Sequence, residues 1–199
     1  MTPTERRVQT LLRRAGPARS RELVAAGITR SQLSRMVAAG QLVRVGRGLY
    51  AMPGYQSGEH GALVTVAKRA PGVLFCLLSA LRFHELTTQA PFEVWIAIGN
   101  KEHPPRLDYP PLRTVRFSDA ALTAGVETHP VDGTKVRVTS VAKTVADCFK
   151  FRNKIGLDVA LEALREARRA KKASAEELWR YAKINRVANV MRPYLEAVA

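Results

Sequence analysis

The sequence contains little cysteine, with only Cys76 and Cys148 among 199 residues. Both lie in apolar segments, LFCLL and VADCFKF, which is typical of buried free thiols in a reducing compartment rather than of a disulfide framework or a nucleophile. The N-terminal residues MTPTERRV lack the apolar stretch of a signal peptide, and no apolar run approaches the length of a membrane-spanning helix. We therefore expect a cytoplasmic protein with no membrane partner.

Recognisable catalytic and metal-binding patterns are also missing from the sequence. No cysteine or histidine pair has the spacing of a zinc site, and His84-Glu85 lacks the second histidine of a zinc-protease helix. No glycine-rich phosphate loop is visible, and Glu93 has no Glu-x-Lys companion that would complete a nuclease metal site. We therefore expect no catalytic residue, no bound metal and no cofactor.

Acidic residues are scarce relative to basic ones: the chain contains 17 Asp and Glu residues and 32 Lys and Arg residues, which gives a formal net charge of +15. Residues 1–57 hold 10 basic and 2 acidic residues, so the first quarter or so of the chain carries over half of the excess. A positive field of this size favours a polyanion as the partner. Because 46% of the residues are hydrophobic, the chain can also bury a substantial core.

The first forty residues predict three short helices. The residues that begin them are Thr2, Ser20 and Thr29, and Thr2 and Thr29 each open a capping-box pattern. Glycines end the three helices, at Gly16, Gly27 and Gly40. Helical spacing predicts that one apolar face of each helix points to the core, with the residues Val8, Leu11, Leu12, Leu23, Val24, Leu33, Met36 and Val37.

A hairpin is predicted directly after the third helix, in the segment GQLVRVGRGLYAMP over residues 40–53. Gly46 and Gly48 can take positive φ angles and allow the backbone to approach a duplex closely. Taken alone, Gly46-Arg47-Gly48 also fits a tight turn with a solvated arginine. After three helices, however, the hairpin predicts a winged helix-turn-helix over residues 1–56, in which Arg47 at the tip of the wing reaches a phosphate or the minor groove.

The outer face of the third predicted helix is the expected reading surface for double-stranded DNA. Its inner face is apolar, and the N-terminal end of such a helix enters the major groove and favours phosphate. Side chains that can donate hydrogen bonds to base edges or phosphates lie on the outer face. With the wing arginines, the predicted DNA-binding residues are Thr29, Arg30, Ser31, Gln32, Ser34, Arg35, Arg44 and Arg47.

Residues 57–199 predict a second domain, separated from the first at the polar break Tyr55-Gln56-Ser57-Gly58. Strands are expected at 92–98, at 112–117 and on both sides of Asp132-Gly133, and helices at 59–69, 140–149, 157–170 and 187–198, with another from Ser174. On the helix from Leu157, the apolar face is assigned to Leu157, Leu161 and Leu164. The fold class is therefore α+β: an N-terminal winged helix-turn-helix followed by a mixed α/β domain with a small sheet and C-terminal helices.

Two charged features of the second domain have more than one interpretation. Asp147 follows Lys143 by four residues, which indicates an ion pair or a helix cap. A second basic patch lies at the end of the helix from Leu157, with the residues Arg165, Arg168, Arg169, Lys171 and Lys172. This patch is either a solvated helix end that offsets the helix dipole, or a second phosphate contact or docking site for an acidic partner.

The string ITRSQLSRMVAAGQLVRVGRGLYAMP (28–53) resembles the N-terminal winged-helix domain of the AbiEi family, the antitoxins of type IV toxin–antitoxin systems. Two later strings, SALRFHEL (79–86) and VTSVAKTVAD (138–147), resemble that family in the same order along the chain. The resemblance implies a transcriptional repressor that binds inverted repeats in its own promoter. It also implies that residues 57–199 form an antitoxin domain that counteracts a toxin with a nucleotidyltransferase fold.

Two other functions are also compatible with the residues themselves. More than two-thirds of the chain lies outside the winged helix, so the protein can instead act mainly as an interaction protein through residues 57–199. A winged-helix nuclease is the other alternative.

Overall fold

The structure, a computed structural model, describes residues 2–55, 58–89, 91–107 and 109–197. The chain divides into two compact units: the first contains Met1–Pro71 with Pro130–Lys135, and the second contains Gly72–His129 with Val136–Ala199. The predicted break at Gln56-Ser57 lies outside the described residues. The functional division into a DNA-binding domain, 1–56, and an antitoxin domain, 57–199, stays a prediction.

The first unit contains four helices and a three-stranded antiparallel sheet. In chain order its elements are α1 (Pro3–Ala15), β1 (Ala18–Arg19), α2 (Ser20–Ala25), α3 (Arg30–Ala38), β2 (Val43–Gly46), β3 (Leu49–Ala51) and α4 (Gly61–Arg69). The strand order is β1-β3-β2, so β3 lies in the middle and pairs through Tyr50 with both Ala18 and Arg44. The predicted three helices and hairpin are all present, whereas the two-residue strand β1 was not predicted.

Local side-chain hydrogen bonds begin the helices of the first unit. At α1, Thr2 Oγ1 accepts from Glu5 N at 3.2 Å, and Glu5 Oε2 accepts from Thr2 N at 2.7 Å, which completes the predicted capping box. At α2, Glu22 Oε2 accepts from Arg19 N at 2.8 Å. Each bond satisfies a backbone N–H near a helix start that has no partner within the helix.

The apolar faces of α1, α2 and α3 form the core of the first unit. Its buried residues are Val8, Leu12, Ala18, Leu23, Ile28, Leu33, Met36 and Leu42, with Leu11 and Val37 partly buried against them. The prediction for Val24 was wrong, because its side chain is 42% exposed. The helix α2 has only six residues and buries Leu23 alone, and the next residue along a helix points about 100° away.

The second unit contains the remaining strands and helices of the described chain around a five-stranded mixed sheet, except that the ends of β7 and β8 within Pro130–Lys135 belong to the first unit. Its elements are β4 (Leu74–Phe75), α5 (Leu77–Phe83), β5 (Val94–Gly99), β6 (Leu112–Phe117), α6 (Asp119–Thr123), β7 (Val126–Val131), β8 (Thr134–Thr139), α7 (Val141–Lys150), α8 (Arg152–Ile155), α9 (Leu157–Arg169), α10 (Ala175–Ile184) and α11 (Ala188–Ala197). The strand order is β6-β5-β4-β8-β7, with β5 parallel to β6 and antiparallel to β4. The predicted α+β fold class is therefore confirmed.

The helix α9 buries mostly small residues and only part of the leucine face that the sequence pattern favoured. Its buried residues are Val159, Ala160, Ala163, Leu164 and Ala167. Of the three predicted leucines only Leu164 is fully buried, while Leu157 is 37% exposed. The alanines belong to the core of the second unit, and Leu161 packs partly buried against that core.

None of the helices in the described part of the chain is both long enough and apolar enough to cross a membrane.

Candidate nucleic-acid interface

The helix α3 begins with a complete capping box. Thr29 Oγ1 accepts from Gln32 N at 3.2 Å, and Gln32 Oε1 accepts from Thr29 N at 2.8 Å and from the Thr29 hydroxyl at 3.0 Å. Since the side-chain oxygen of Gln32 is occupied, only its amide N–H groups are left for a ligand. A bidentate contact to adenine, which needs both the oxygen and the nitrogen, is not available to Gln32 in this arrangement.

The outer face of α3 presents polar and basic side chains. Arg30, Ser31, Ser34 and Arg35 are exposed, and Thr29 is exposed at the helix start, while Leu33 and Met36 are buried on the opposite face. Residues four apart lie above one another on a helix, so Arg30 is next to Ser34 and Ser31 is next to Arg35. The structure therefore places the predicted residues of α3, apart from the half-buried Gln32, together on one accessible surface.

The hairpin β2–β3 holds the two wing arginines at the surface. Arg47 is exposed in the turn, and Arg44 is exposed on β2, where its Nε donates to Gly46 O at 3.3 Å. Gly48 adopts φ +68°, as predicted, and a Cβ there would lie 3.4 Å from Ser20 Oγ. The prediction for Gly46 was wrong: it lies at a bulge in β2 and does not have a positive φ.

The turn of the hairpin is held against the start of α2, a connection that the sequence did not predict. Ser20 N donates to Gly48 O at 2.9 Å, and Arg19 pairs with Leu49 through β1. Arg21, which follows Ser20 directly, is exposed. Arg21 was not among the predicted DNA-binding residues, although it directly follows Ser20, the predicted start of the second helix.

Carboxylates do not neutralise this surface. The two acidic residues among the described residues 2–55 are Glu5 and Glu22, and both are engaged at helix starts. Within the described residues, the side chains of Arg30, Arg35 and Arg47 make neither a hydrogen bond nor an ion pair. An anion that reaches these guanidinium groups therefore meets no competing carboxylate in the part of the chain that the structure describes.

Another cluster of cations lies at the base of the wing. Burial lowers the pKa of the Arg19 guanidinium, and the charges of Arg21 and Arg69 lower that pKa further against the opposite effect of Glu22. Arg19 Nη2 is buried without a hydrogen-bond partner among the described residues. Because an arginine stays charged in a protein, this crowding leaves a local excess of positive charge next to the wing.

The second basic patch is largely satisfied by its own chain. Arg169 Nη2 bonds Glu166 Oε2 at 2.5 Å, and Arg168 Nη1 donates to Ala173 O at 3.4 Å. Lys172 Nζ donates to His84 O at 2.6 Å and lies 3.4 Å from Glu85 Oε2. The exposed Arg165 and Lys171 have no such partner among the described residues, so a phosphate or acidic partner at this patch stays a prediction.

The two later family-like strings lie in the core of the second unit. Ser79 Oγ accepts from Trp95 N at 2.8 Å, and His84 Nε2 lies 2.7 Å from Thr139 O. Since a carbonyl oxygen only accepts, His84 carries its proton on Nε2, and burial lowers the pKa of its ring. These contacts connect α5 to β5 and β8, so the residues have a structural role that needs no ligand.

Lys143 and Asp147 form the ion pair that their spacing predicted, and the pair is fully buried. Lys143 Nζ bonds Asp147 Oδ1, which also accepts from Asn185 Nδ2 at 2.8 Å, while Asp147 Oδ2 has no hydrogen-bond partner among the described residues. Burial raises the pKa of Asp147 against the opposing effects of Lys143 and Asn185. The pair is closed to solvent and therefore has a structural rather than a catalytic setting.

Other reactive groups in the described part of the chain are also buried or dispersed. Cys76 and Cys148 are buried and not disulfide-bonded, as predicted, and burial raises the pKa of both thiols well above the ordinary value. Among the described residues, no three His, Cys, Asp or Glu side chains are grouped so that they could hold a metal ion.

The comparisons with known proteins concern the first unit by sequence and nearly the whole chain by fold. Residues 6–53 match a family model described as "Transcriptional regulator, AbiEi antitoxin", which confirms the resemblance for the N-terminal region. No curated protein is similar in sequence to this chain. The crystal structure of the RV2827C protein from Mycobacterium tuberculosis is similar with a TM-score of 0.63 at 16% identity, over 98% of this chain and 82% of that one. At this identity the similarity concerns the fold alone.

Proposed function

We propose that the protein is a sequence-specific, DNA-binding transcriptional autorepressor and the antitoxin of a type IV toxin–antitoxin system. The observation that carries the proposal is the unneutralised cationic surface made by the outer face of α3 and the tip of the β2–β3 wing. The match of residues 6–53 to a family of antitoxin transcriptional regulators supports the same conclusion for that region.

In this proposal residues 1–56 are a winged helix-turn-helix, and α3 enters the major groove. Ser31 and Arg35 lie one turn apart and reach base edges, while Arg30 and the helix start lie toward a phosphate. Arg44 and Arg47 on the wing, together with Arg21, contact the neighbouring backbone. Gln32 contributes mainly through the capping box, which holds the first turn of α3 in place.

The proposal is tested first with the DNA upstream of the protein's own gene. Footprinting of the full chain is expected to protect an inverted repeat, because a two-fold related pair of sites is what the proposed repressor binds. About six phosphate contacts give a slope near −5 in a plot of log K against log salt. Equal affinity for unrelated duplexes at about 0.15 M salt would contradict sequence specificity.

Replacing Arg47 with alanine is expected to weaken binding to all duplexes by a similar factor and to reduce the salt slope by about 1. The reason is that an arginine at an exposed turn contributes through phosphate or groove charge and carries little sequence information. Fluorescence anisotropy with the operator and with a scrambled duplex measures both effects. A change in sequence preference without a change in the salt slope would instead indicate that Arg47 reads base edges.

The antitoxin part of the proposal concerns a toxin with a nucleotidyltransferase fold. Co-expression of the full chain with a neighbouring gene of that type is expected to restore growth. The double variant Arg30→Glu/Arg35→Glu separates the two activities, since residues 57–199 carry the antitoxin role in this proposal. Restored growth with that variant supports direct or indirect neutralisation of the toxin by residues 57–199. Continued growth arrest with the parent chain as well as with the variant contradicts it.

A further inference from the structure

A cavity of about 330 Å³ in the second unit is lined by cations from three separate elements. Arg116 comes from β6, Lys150 is the last residue of α7, and Arg186 lies in the turn between α10 and α11. No aspartate or glutamate is among the described residues that line the cavity. Three positive side chains that converge without a carboxylate repel one another until an anion binds between them.

The cations differ in how firmly they are held. Arg116 Nη1 donates to Gly99 O at 2.8 Å and to Asn100 O at 2.6 Å, which fixes the guanidinium while its Nε and Nη2 remain for a ligand. The side chains of Lys150 and Arg186 are exposed and have no hydrogen bond or ion pair within the described chain. A fixed arginine beside two adjustable cations suits a phosphate group, which arginine binds through paired N–H donors.

The remaining wall of the cavity is apolar and aromatic. Phe117 and Phe151 stack with ring centroids 5.6 Å apart and an interplanar angle of 19°. Ala121 and Ile184 extend the apolar side. A simple inorganic ion would leave this half of the cavity unused, whereas a ligand with a flat ring and a phosphate would contact both halves.

One polar side chain adds a directional group between the two halves. Asn185 is 5% exposed and lines the cavity, and its Nδ2 donates to Asp147 Oδ1 at 2.8 Å. This bond fixes the orientation of the amide and leaves the Asn185 side-chain oxygen as an acceptor. A sugar hydroxyl or a ring amino group is the kind of donor that complements it.

We propose that this cavity binds a nucleoside phosphate: Arg116, Lys150 and Arg186 hold the phosphates, and the base lies on the apolar wall beside Phe151. The cavity lies wholly in the second unit, so the site does not depend on DNA binding by α3. Its volume is at the lower end of the range of small-molecule sites, which fits one nucleotide rather than a dinucleotide cofactor.

The test is calorimetric titration of the full chain with ADP, adenosine and pyrophosphate in a buffer without phosphate. ADP is expected to bind, and adenosine and pyrophosphate are each expected to bind at least about tenfold more weakly, because each fills one half of the cavity. Lys150→Glu and Arg186→Glu are expected to weaken ADP binding by at least about tenfold, as the loss of a charge-assisted hydrogen bond does. Arg165→Glu makes the same charge change on an exposed residue outside the cavity and is expected to leave ADP affinity within about twofold.

A second variant removes space instead of charge. Ala120 is exposed and lines the cavity, so Ala120→Trp is expected to exclude the base while pyrophosphate binding is retained. Three results overturn the proposal. They are no ADP binding up to about 1 mM, equal affinity for ADP and pyrophosphate, or a loss of ADP affinity in Arg165→Glu as large as in Lys150→Glu and Arg186→Glu. Weaker binding of duplex DNA by Arg186→Glu without ADP binding also overturns it, in favour of a DNA phosphate contact.

Discussion

Reversing the charge of Arg30 and Arg35 together is expected to reduce specific DNA affinity by on the order of 10³-fold. Each arginine contact to a base or phosphate contributes about 1–3 kcal/mol, and the two glutamates add repulsion from the DNA backbone. Both side chains are exposed on the outer face of α3 and have no internal partner among the described residues. The free energy of unfolding is therefore expected to change by less than about 0.5 kcal/mol, as is usual for surface substitutions.

The measurement is fluorescence anisotropy with the operator duplex at several salt concentrations, with circular dichroism as the check of folding. The double variant Arg165→Glu/Lys171→Glu is the matched control, because it makes the same change in net charge on exposed residues of the second unit. The α3 variant is expected to lose at least about 100-fold more affinity than this control. Equal losses in the two variants would mean that DNA binding follows net charge, and the α3 interface would then be wrong.

The control also separates the two interpretations of the second basic patch. If Arg165 and Lys171 are solvated at a helix end, their reversal leaves the operator affinity within about threefold at physiological salt, because distant charges are screened there. If they contact phosphates, the salt slope becomes shallower by about 1 for each lost contact. The intrachain bonds of Arg169 and Lys172 favour the solvated helix end.

Features determined by neighbouring residues could be predicted from the sequence. The capping boxes predicted at Thr2 and Thr29 are both present, since each needs only residues three apart, and the helix expected from Ser174 begins with a third. The two-residue turn at Asp132-Gly133 is likewise present between β7 and β8, with φ angles of +45° and +67°. The fold class followed from these elements and from the position of the predicted strands.

Features assembled from distant residues could not be predicted in this way. The strand β1 has two residues and no local signal, and it exists because β3 offers it a pairing edge. The orientation of Leu157 and Val24 depends on which neighbour packs against a short or alanine-rich helix, which periodicity alone does not contain. The cation-lined cavity brings together residues 116, 150 and 186, whose separation in sequence conceals their convergence.

Removal of the Asp147 carboxylate is expected to reduce stability far more than any of the surface substitutions on α3, the wing or α9. Asp147→Ala leaves the Lys143 ammonium fully buried without its carboxylate, and breaking a buried ion pair in this way costs about 3–5 kcal/mol. Trp95 and Trp179 both belong to the second unit, so urea unfolding followed by tryptophan fluorescence reports the unit that contains the pair. A loss below about 1 kcal/mol would contradict the role of the pair.

Two further variants, Lys143→Met and Lys143→Met/Asp147→Leu, are compared with Asp147→Ala and distinguish a buried charge from a simple loss of packing. Lys143→Met is expected to cost less than Asp147→Ala, because burial already raises the pKa of Asp147 and the carboxyl can take up a proton once the lysine is gone.

A group whose pKa is higher in the folded than in the unfolded state stabilises most at low pH, and that stability is lost as the pH rises through the folded-state pKa. Lys143→Met is therefore expected to be more stable at about pH 5 than at about pH 8. The double variant Lys143→Met/Asp147→Leu has no buried charge, so it is expected to be more stable than Asp147→Ala and insensitive to pH over this range. Its remaining cost relative to the parent is that of the Asn185 amide, which loses its acceptor and contributes about 1–3 kcal/mol. If Lys143→Met is equally stable at both pH values, the Asp147 carboxyl does not take up a proton on folding in this variant, and the expected neutralisation of the unpaired carboxyl in the core is wrong.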